Sequence, residues 1–443
     1  MKGYQEKNRR LMPSGMLRTG AAAMALIALL GGCSKGKDNA AVQSVDEKHE
    51  PVNITVGIKS TGYLSEEEFD KYIAKPVKAK YPWITAERVV YTNNSINELV
   101  VSGQTPDIII TNNVNGMPQL RDLDLLDSLQ GLMQKQGFDL SRIEPEALAA
   151  VKAATNREDL VALPYTRNFA VLYYNKDIFD RFAVPYPKDD MTWEQVTELA
   201  KKVTRSDGGV QYRGLEPNVP ERLGSQLSLS FVDKNNRAAV NTDAWKKVLG
   251  QLASIYEIPG NKDIKYKSKA DDQFAKDRTL AMLAEINILF DAKLNELPDL
   301  QWDMVSFPVW PEAPGVGPGP DEHLMVLSKV SKHKEDAFRL MSTVLSDEVQ
   351  LEMARQGRIS ILKDGKFQKV YGEGMAFMKG RNVGAIFKTK LANPYIPSIY
   401  DSAAMTALQN ELKNVVTKGK DLNSSLRDAE ETINKNIETQ MKK

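Results

Sequence analysis

The sequence has few of the residues on which many enzymes and metal sites depend. Its 443 residues include one cysteine and three histidines. A single cysteine excludes a disulfide framework within one copy and a cysteine-based zinc site. The sequence also has no His-Glu-x-x-His, no Gly-x-Ser-x-Gly and no Gly-Lys-Ser/Thr motif of a phosphate-binding loop. We therefore predict a protein without catalytic residues, bound metal or cofactor.

The chain also lacks an excess of charge of either sign. It has 59 basic and 58 acidic residues, for a net charge of +1. Residues 1–32 hold five basic residues and one acidic residue, so the rest of the chain carries −3. A mildly acidic chain has no general attraction for phosphate backbones, and we expect no nucleic-acid partner. Its composition, 42% hydrophobic and 26% charged, is typical of soluble globular domains.

The N-terminus has the pattern of an export signal. A basic stretch precedes an apolar run over residues 21–30, which is too short to span a bilayer. The run ends in Leu-Gly-Gly-Cys at residues 30–33, which resembles the bacterial lipobox. That resemblance implies cleavage before Cys33 and transfer of a diacylglycerol to its thiol. We predict a signal peptide over 1–32, lipidated Cys33, and a polar tether over 33–50 that holds the protein at the extracytoplasmic face of the cell membrane.

Strand and helix patterns alternate after the tether. Apolar residues alternate with polar ones over 52–58, which predicts a strand. Capping boxes begin at Ser65 and Thr192, and Thr242 precedes a helix with one apolar face. We expect Pro76 to end or kink the first helix. This alternation is typical of an α/β fold with largely parallel sheets.

Four segments resemble, in order, those of a known family. They are Gly103–Ile108 (GQTPDI), Leu163–Glu194 with its YYNKDIF and TWE motifs, Phe274–Met282 (FAKDRTLAM), and Val330–Gly357 with its VSKHKEDA motif. In this order they are similar to the family 1 extracellular solute-binding proteins of ABC importers, the maltose-binding-like group.

The resemblance implies an α/β, two-lobed periplasmic-binding-protein-like fold with a hinge and an interlobe ligand cleft. Lobe one is expected at 51–164 plus 315–360, and lobe two at 165–314 plus 361–443. The chain is expected to cross between the lobes near 165–170, 310–320 and 358–362. The implied protein is a monomer that delivers a small solute, a sugar or oligosaccharide first of all, to ABC transporter permease subunits.

Candidate ligand-binding residues follow from their positions at strand ends and expected crossings. They are Tyr63, Asn112, Asn113, Tyr165, Arg167, Asn168, Glu285, Asn287, Trp310, Arg358, Ser360 and Tyr395. Aromatic rings stack on sugar rings, while amides and carboxylates bind hydroxyl groups. We expect His323 and His333 to be solvated residues of loops or helix ends.

One departure from the family pattern leaves alternatives open. Many sugar-binding relatives carry Gly-x-Trp after the Ala-Met strand, whereas Glu285 and Asn287 stand at that point here. A carboxylate suits a sugar and equally suits a cation, so a receptor for a polyamine or another cationic solute is the second hypothesis. A surface-anchored polysaccharide hydrolase is the alternative from another functional class.

Overall fold

A computed structural model describes residues 49–59, 63–92, 95–114, 116–262, 264, 268–290 and 294–442. The predicted signal peptide, Cys33 and the tether as far as residue 48 lie outside these residues. Within the described residues, no helix is both long and apolar enough to cross a membrane. The same residues contain no group of three or more side chains that could hold a metal ion.

Ten strands lie in the described residues and form two five-stranded sheets. They are β1 (Val52–Ile58), β2 (Ile84–Val90), β3 (Ile108–Asn112), β4 (Ala162–Arg167), β5 (Ala170–Asn175), β6 (Arg205–Asp207), β7 (Val210–Glu216), β8 (Leu280–Ile286), β9 (Trp302–Ser306) and β10 (Glu322–Leu327). The sequence pattern missed β6 and β7, because β6 and the first residues of β7 are exposed and polar.

Sixteen α-helices of the described residues cover the sheets. They are α1 (Glu66–Phe69), α2 (Lys75–Lys80), α3 (Ser95–Val101), α4 (Met117–Asp122), α5 (Gln130–Lys135), α6 (Pro145–Thr155), α7 (Lys176–Arg181), α8 (Trp193–Val203), α9 (Pro220–Ser225), α10 (Asp243–Tyr256), α11 (Ser268–Ala275), α12 (Lys334–Val344), α13 (Asp347–Arg355), α14 (Lys366–Lys369), α15 (Asp401–Lys418) and α16 (Leu422–Met441). Both predicted capping boxes, at Ser65 and Thr192, are confirmed.

The helical run that contains Pro76 continues past this residue to the end of α2. A π-helical turn, Asp70–Ala74, joins α1 to α2 and places Pro76 in the first turn of α2. Proline lacks an N–H group, and its ring needs space that a regular α-helical turn does not give. The wider π turn is therefore the irregularity that accommodates Pro76.

Both sheets are mixed rather than largely parallel, so that prediction is wrong. Sheet one has the order β2-β1-β3-β10-β4, in which β1 is parallel to β2 and β3 while β10 is antiparallel to β3 and β4. Sheet two has the order β6-β7-β8-β5-β9, in which only the β7–β8 pairing is parallel. Four of the antiparallel pairs involve β5 or β10, which each enter a sheet from the other lobe, and the fifth is the β6–β7 hairpin.

Each sheet has its own hydrophobic core, and the cores define the lobes. One cluster packs around sheet one and makes lobe one. Two clusters pack on sheet two and make lobe two. The third crossing differs from the expected boundary at 361, because Ile361, Leu362 and Phe367 pack in the core of lobe one. Ile359, before them, and Tyr371, after them, pack in lobe two.

The three crossings lie side by side. The first crossing joins β4 to β5. Its Asn168 backbone N–H donates to the Asp321 carbonyl of the second crossing, at 3.0 Å. The Thr166 hydroxyl donates to the Ile359 carbonyl of the third crossing, at 2.7 Å. Since all three segments are hydrogen-bonded together, they form one narrow connection between the lobes, as a hinge requires.

A buried carboxylate lies at this connection. Glu322 of β10 pairs in register with Arg167 of β4. The Glu322 side chain is fully buried, and neither carboxylate oxygen has a hydrogen-bond partner among the residues that the structure describes. One guanidinium nitrogen of Arg167 lies 3.8 Å from Glu322 Oε1, while another forms an ion pair with Glu144. Two carboxylates therefore share one cation.

Candidate ligand-binding cleft

A cleft of about 1900 Å³ lies between the lobes. Its lining comes from segments that follow β1, β3, β7 and β8, from α1 and α9, and from all three crossings. Loops at strand ends and between domains are where ligand sites are most often found in α/β proteins.

The wall formed by lobe one carries Tyr63 and two asparagines. The Asn112 side-chain amide donates to the Tyr63 hydroxyl at 2.7 Å. Asn113 is buried; its amide donates to the Pro320 carbonyl at 3.0 Å and accepts from the Glu322 N–H at 2.8 Å. Asn113 thus ties this wall to the second crossing, which fixes the wall relative to the hinge.

The floor of the cleft is a short polar strip at the crossings. The Asn168 amide nitrogen lies 3.2 Å from Asp321 Oδ2 and 3.3 Å from His323 Nε2. Because this amide nitrogen can only donate, Nε2 accepts, and the imidazole proton is on Nδ1. His323 is 7% exposed, so its prediction as a solvated residue is wrong. Burial lowers its pKa, and the imidazole is neutral at neutral pH.

A half-buried ion pair stands beside the floor. The Arg358 guanidinium donates to both Glu68 carboxylate oxygens, at 2.6 and 2.8 Å. Burial raises the pKa of Glu68, but the hydrogen bonds and charge of Arg358 outweigh burial and leave that pKa below its ordinary value. This pair links the third crossing to α1 and is already satisfied without a ligand.

The wall formed by lobe two is organised around Glu285 at the end of β8. Glu285 Oε1 accepts from the Asn218 amide and from the Ile286 N–H, both at 2.8 Å. Asn218 follows β7 with a φ of 82°, a left-handed conformation that asparagine tolerates better than most residues. The Asn287 side chain lines the cleft and accepts from the Leu289 N–H at 3.1 Å.

Aromatic rings supply the apolar part of the lining. Phe290 lies just past β8 and is 41% exposed. It stands three residues beyond Asn287, in the same cleft-lining segment. The Arg358 guanidinium lies 5.7 Å from the centre of the Phe290 ring. Tyr395 lines the cleft from the far end of lobe two, against Phe231.

The structure brings eight of the twelve candidate residues to the cleft. These are Tyr63, Asn112, Asn113, Asn168, Glu285, Asn287, Arg358 and Tyr395. Their positions at strand ends and crossings are what the sequence pattern could identify.

Four candidates lie outside the cleft lining. Tyr165 is buried in the core of lobe one, and Arg167 is engaged by carboxylates at the hinge. The Ser360 hydroxyl donates to Gln350 in the interior at 2.7 Å. Trp310 is fully buried in lobe two, because the proline-rich segment folds back under α9 instead of bordering the cleft.

Sequence reasoning missed Asn218, Arg222, Asp321 and Phe290, which all line the cleft. Asn218 and Arg222 follow β7, a strand that was not predicted, so no signal marked them. Asp321 directly follows the proline-rich segment in which the second crossing was predicted. That position is the signal that could have identified it.

Carboxylates outnumber cations on the cleft lining among the described residues. The carboxylates are Glu67, Glu68, Glu221, Asp271, Asp272, Glu285, Glu296 and Asp321, and the cations are Lys71, Arg222 and Arg358. Such a lining has a negative potential, which disfavours anions and favours neutral or cationic ligands.

Comparison with curated proteins finds short matches. A 77-residue stretch is 31% identical to the sn-glycerol-3-phosphate-binding periplasmic protein UgpB of Agrobacterium fabrum, and covers 17% of each chain. The equivalent protein of Rhizobium meliloti matches to the same extent. The chain thus spans less than a fifth of the length of these relatives.

Solved structures match over nearly the whole chain. An ABC substrate-binding protein of Listeria monocytogenes in complex with cycloalternan has a TM-score of 0.70 and 20% identity, over 88% of this chain and 99% of that one. UgpB of Mycobacterium tuberculosis in complex with glycerophosphocholine has a TM-score of 0.70 and 13% identity, over 89% and 100%. At these identities the likeness establishes the two-lobed fold.

A family model extends the match at the level of sequence. The model described as bacterial extracellular solute-binding protein matches residues 73–366. This range takes in nine of the ten strands of the described residues, all except β1, together with the first two crossings, the start of the third and the floor of the cleft. The chain therefore belongs to the family of bacterial extracellular solute-binding proteins.

Proposed function

We propose that the protein is a lipid-anchored receptor that binds a neutral saccharide outside the cytoplasm and delivers it to an ABC importer. The observation that carries this proposal is the composition of the interlobe cleft, which is lined by amide and carboxylate groups together with the aromatic rings of Tyr63, Phe290 and Tyr395. A sugar presents the same combination, because its hydroxyl groups surround an apolar ring face.

The dimensions of the cleft favour an oligosaccharide. Its volume of about 1900 Å³ exceeds the roughly 300–1,000 Å³ of ordinary small-molecule pockets. The aromatic residues also come from separate segments, since Tyr63 belongs to lobe one, Phe290 follows β8 and Tyr395 packs against Phe231 in lobe two. Several sugar rings can therefore be contacted at once, and closure of the hinge would enclose them.

A cationic solute is the second candidate, and the charge of the lining favours it. Eight carboxylates face three cations, of which Arg358 is already neutralised by Glu68. A polyamine would gain from this negative potential, and its affinity would fall as salt is added.

The lipobox-like sequence at Cys33 supports attachment to the membrane, and family membership supports an importer as the partner. The solute-binding family also argues against a hydrolase, because its members bind the solute without altering it. We propose a monomer that acts by binding and release alone.

Thermal unfolding with a panel of ligands tests the function. We expect maltotriose, mannotriose or a related neutral oligosaccharide to raise the unfolding temperature, since a ligand at a hundred times its Kd stabilises a protein by about 2.7 kcal/mol. Chromatography of the ligand after overnight incubation should recover it intact. Stabilisation by spermidine or putrescine alone would select the second candidate, and cleavage of the oligosaccharide would show a hydrolase.

A further inference from the structure

Arg222 is the least satisfied cation of the cleft. Its side chain is 20% exposed, and its only ionic neighbour among the described residues is Asp321, with an N···O distance of 3.9 Å. The Nε atom is buried and has no hydrogen-bond partner. A guanidinium has five N–H donors, and leaving such donors buried without acceptors is costly.

The other two lining cations differ from Arg222 in this respect. Arg358 donates to both oxygens of Glu68, and Lys71 Nζ lies 2.7 Å from Glu352. Their carboxylate partners satisfy them in the absence of a ligand. Arg222 is therefore the lining cation whose donors remain available to a molecule in the cleft.

The backbone around Arg222 is held firmly. Its carbonyl accepts from the Ser225 hydroxyl at 2.8 Å, and that hydroxyl accepts from the Gly319 N–H at 3.1 Å, next to the second crossing. The neighbouring Leu223 carbonyl accepts from the buried Trp310 indole at 3.2 Å. A guanidinium on a fixed backbone binds with a smaller loss of conformational freedom.

Packing behind α9 adds to this rigidity. A Cβ atom at Gly224 would lie 2.5 Å from the Trp245 ring, so the helix rests directly on the indole. Trp310, which the sequence analysis predicted to line the cleft, instead lies below α9. Its indole N–H binds the Leu223 carbonyl and so supports the segment that carries Arg222.

Charge around the guanidinium limits the kind of ligand. An anion would meet Arg222, but it would also meet the surplus of carboxylates on the lining and Asp321 next to the guanidinium. A neutral hydroxyl group accepts the hydrogen bonds without that repulsion, and it can donate in turn to a carboxylate.

We propose that Arg222 binds the ligand directly, donating from its guanidinium to hydroxyl oxygens of a neutral saccharide, while Asp321 holds it in position. This assignment rests on the saccharide-binding function proposed above. It makes Arg222 a specificity-determining residue, because a solute without paired acceptor oxygens would leave the guanidinium donors without acceptors.

Titration calorimetry with the neutral trisaccharides maltotriose, mannotriose and cellotriose, and with glycerol 3-phosphate, tests the assignment. The variants are Arg222→Gln, Arg222→Lys and, as a control that removes a cation outside the cleft, Lys329→Gln. Arg222→Gln should weaken trisaccharide binding at least tenfold, Arg222→Lys should retain part of the affinity, and the control should match the wild type. The unfolding midpoint without ligand should be the same in all four proteins, since Arg222 makes no side-chain hydrogen bond that folding requires.

Each other outcome overturns the assignment in its own way. Unchanged trisaccharide affinity in Arg222→Gln would remove Arg222 from the site and leave the saccharide function standing. Binding of glycerol 3-phosphate that depends on Arg222 would replace the neutral ligand by an anionic one. A wild-type protein that binds none of the trisaccharides would overturn both the assignment and the proposed function. A large drop in the unfolding midpoint of Arg222→Gln would assign the residue a structural role instead.

Discussion

Neutralising Glu322 should make the protein more stable at alkaline pH. Burial raises the pKa of this carboxyl to about 7; the charge of Arg167 opposes the rise, and Asp321 and Glu146 add to it. A group whose pKa is higher in the folded than in the unfolded state stabilises the fold at pH values below its unfolded pKa, here 4.5. That contribution is lost as the pH rises through the folded pKa of about 7. Above pH 7 the folded protein must therefore carry a buried carboxylate without hydrogen bonds.

The size of the effect follows from the shift. A difference between 4.5 and about 7, at about 1.4 kcal/mol for each pH unit, corresponds to roughly 3 kcal/mol. Gln is uncharged and has nearly the same shape, and no existing hydrogen bond to the carboxylate is lost in the change. Glu322→Gln should therefore match the wild type near pH 4.5 and exceed its free energy of unfolding by up to about 3 kcal/mol at pH 8.

Urea unfolding at pH 5, 6, 7 and 8 measures this difference. The control is Glu438→Gln, which removes an exposed carboxylate of α16 and should run parallel to the wild type at every pH. The reasoning is refuted if the wild type and Glu322→Gln also run parallel from pH 5 to 8, because the carboxyl would then titrate as it does in the unfolded chain.

Three further predictions concern the anchor, the hinge and the ligand. Cys33→Ala should move the protein from the membrane fraction to the soluble fraction, and retention after an alkaline wash would contradict lipidation. Small-angle scattering should show a smaller radius of gyration with saturating ligand, because the closed form makes more contacts with it; an unchanged curve would exclude closure. Glu285→Gln should weaken binding by about 1–3 kcal/mol, with wild-type affinity insensitive to salt for a sugar and lowered by salt for a polyamine. Calorimetry at two ionic strengths distinguishes the two ligands, with Glu198→Gln, at a carboxylate outside the cleft that is paired with Lys201, as its control.

Elements with a strong local signal were predictable from sequence. The apolar face of α10 and the alternation of β1 depend on periodicity within one segment, and the structure gives both as expected. The caps at Ser65 and Thr192 are similarly local, because the side chain and the N–H that it accepts from lie three residues apart.

The composition of the cleft was predictable only in part, because burial depends on distant segments. Trp310 and Tyr395 both lie beside prolines in irregular segments, yet Trp310 is covered by α9 and Tyr395 reaches the cleft. His323 appears polar in sequence but enters the centre of a sheet. The pairing of charges is equally non-local: Arg358 forms an ion pair with Glu68, 290 positions away in the chain, whereas Arg222 has Asp321 as its one ionic neighbour in the described part of the chain.

The position of β10 has a consequence for how the chain acquires its structure. This strand lies between β3 and β4 in sheet one, although β4 precedes it by more than a hundred residues in the sequence. An N-terminal fragment that ends before β10 would leave β3 and β4 without their shared neighbour, and two rows of buried backbone groups would lack partners. Lobe one therefore completes its sheet only after all five strands of sheet two have been synthesised, so the N-terminal part of the chain cannot reach its final structure on its own.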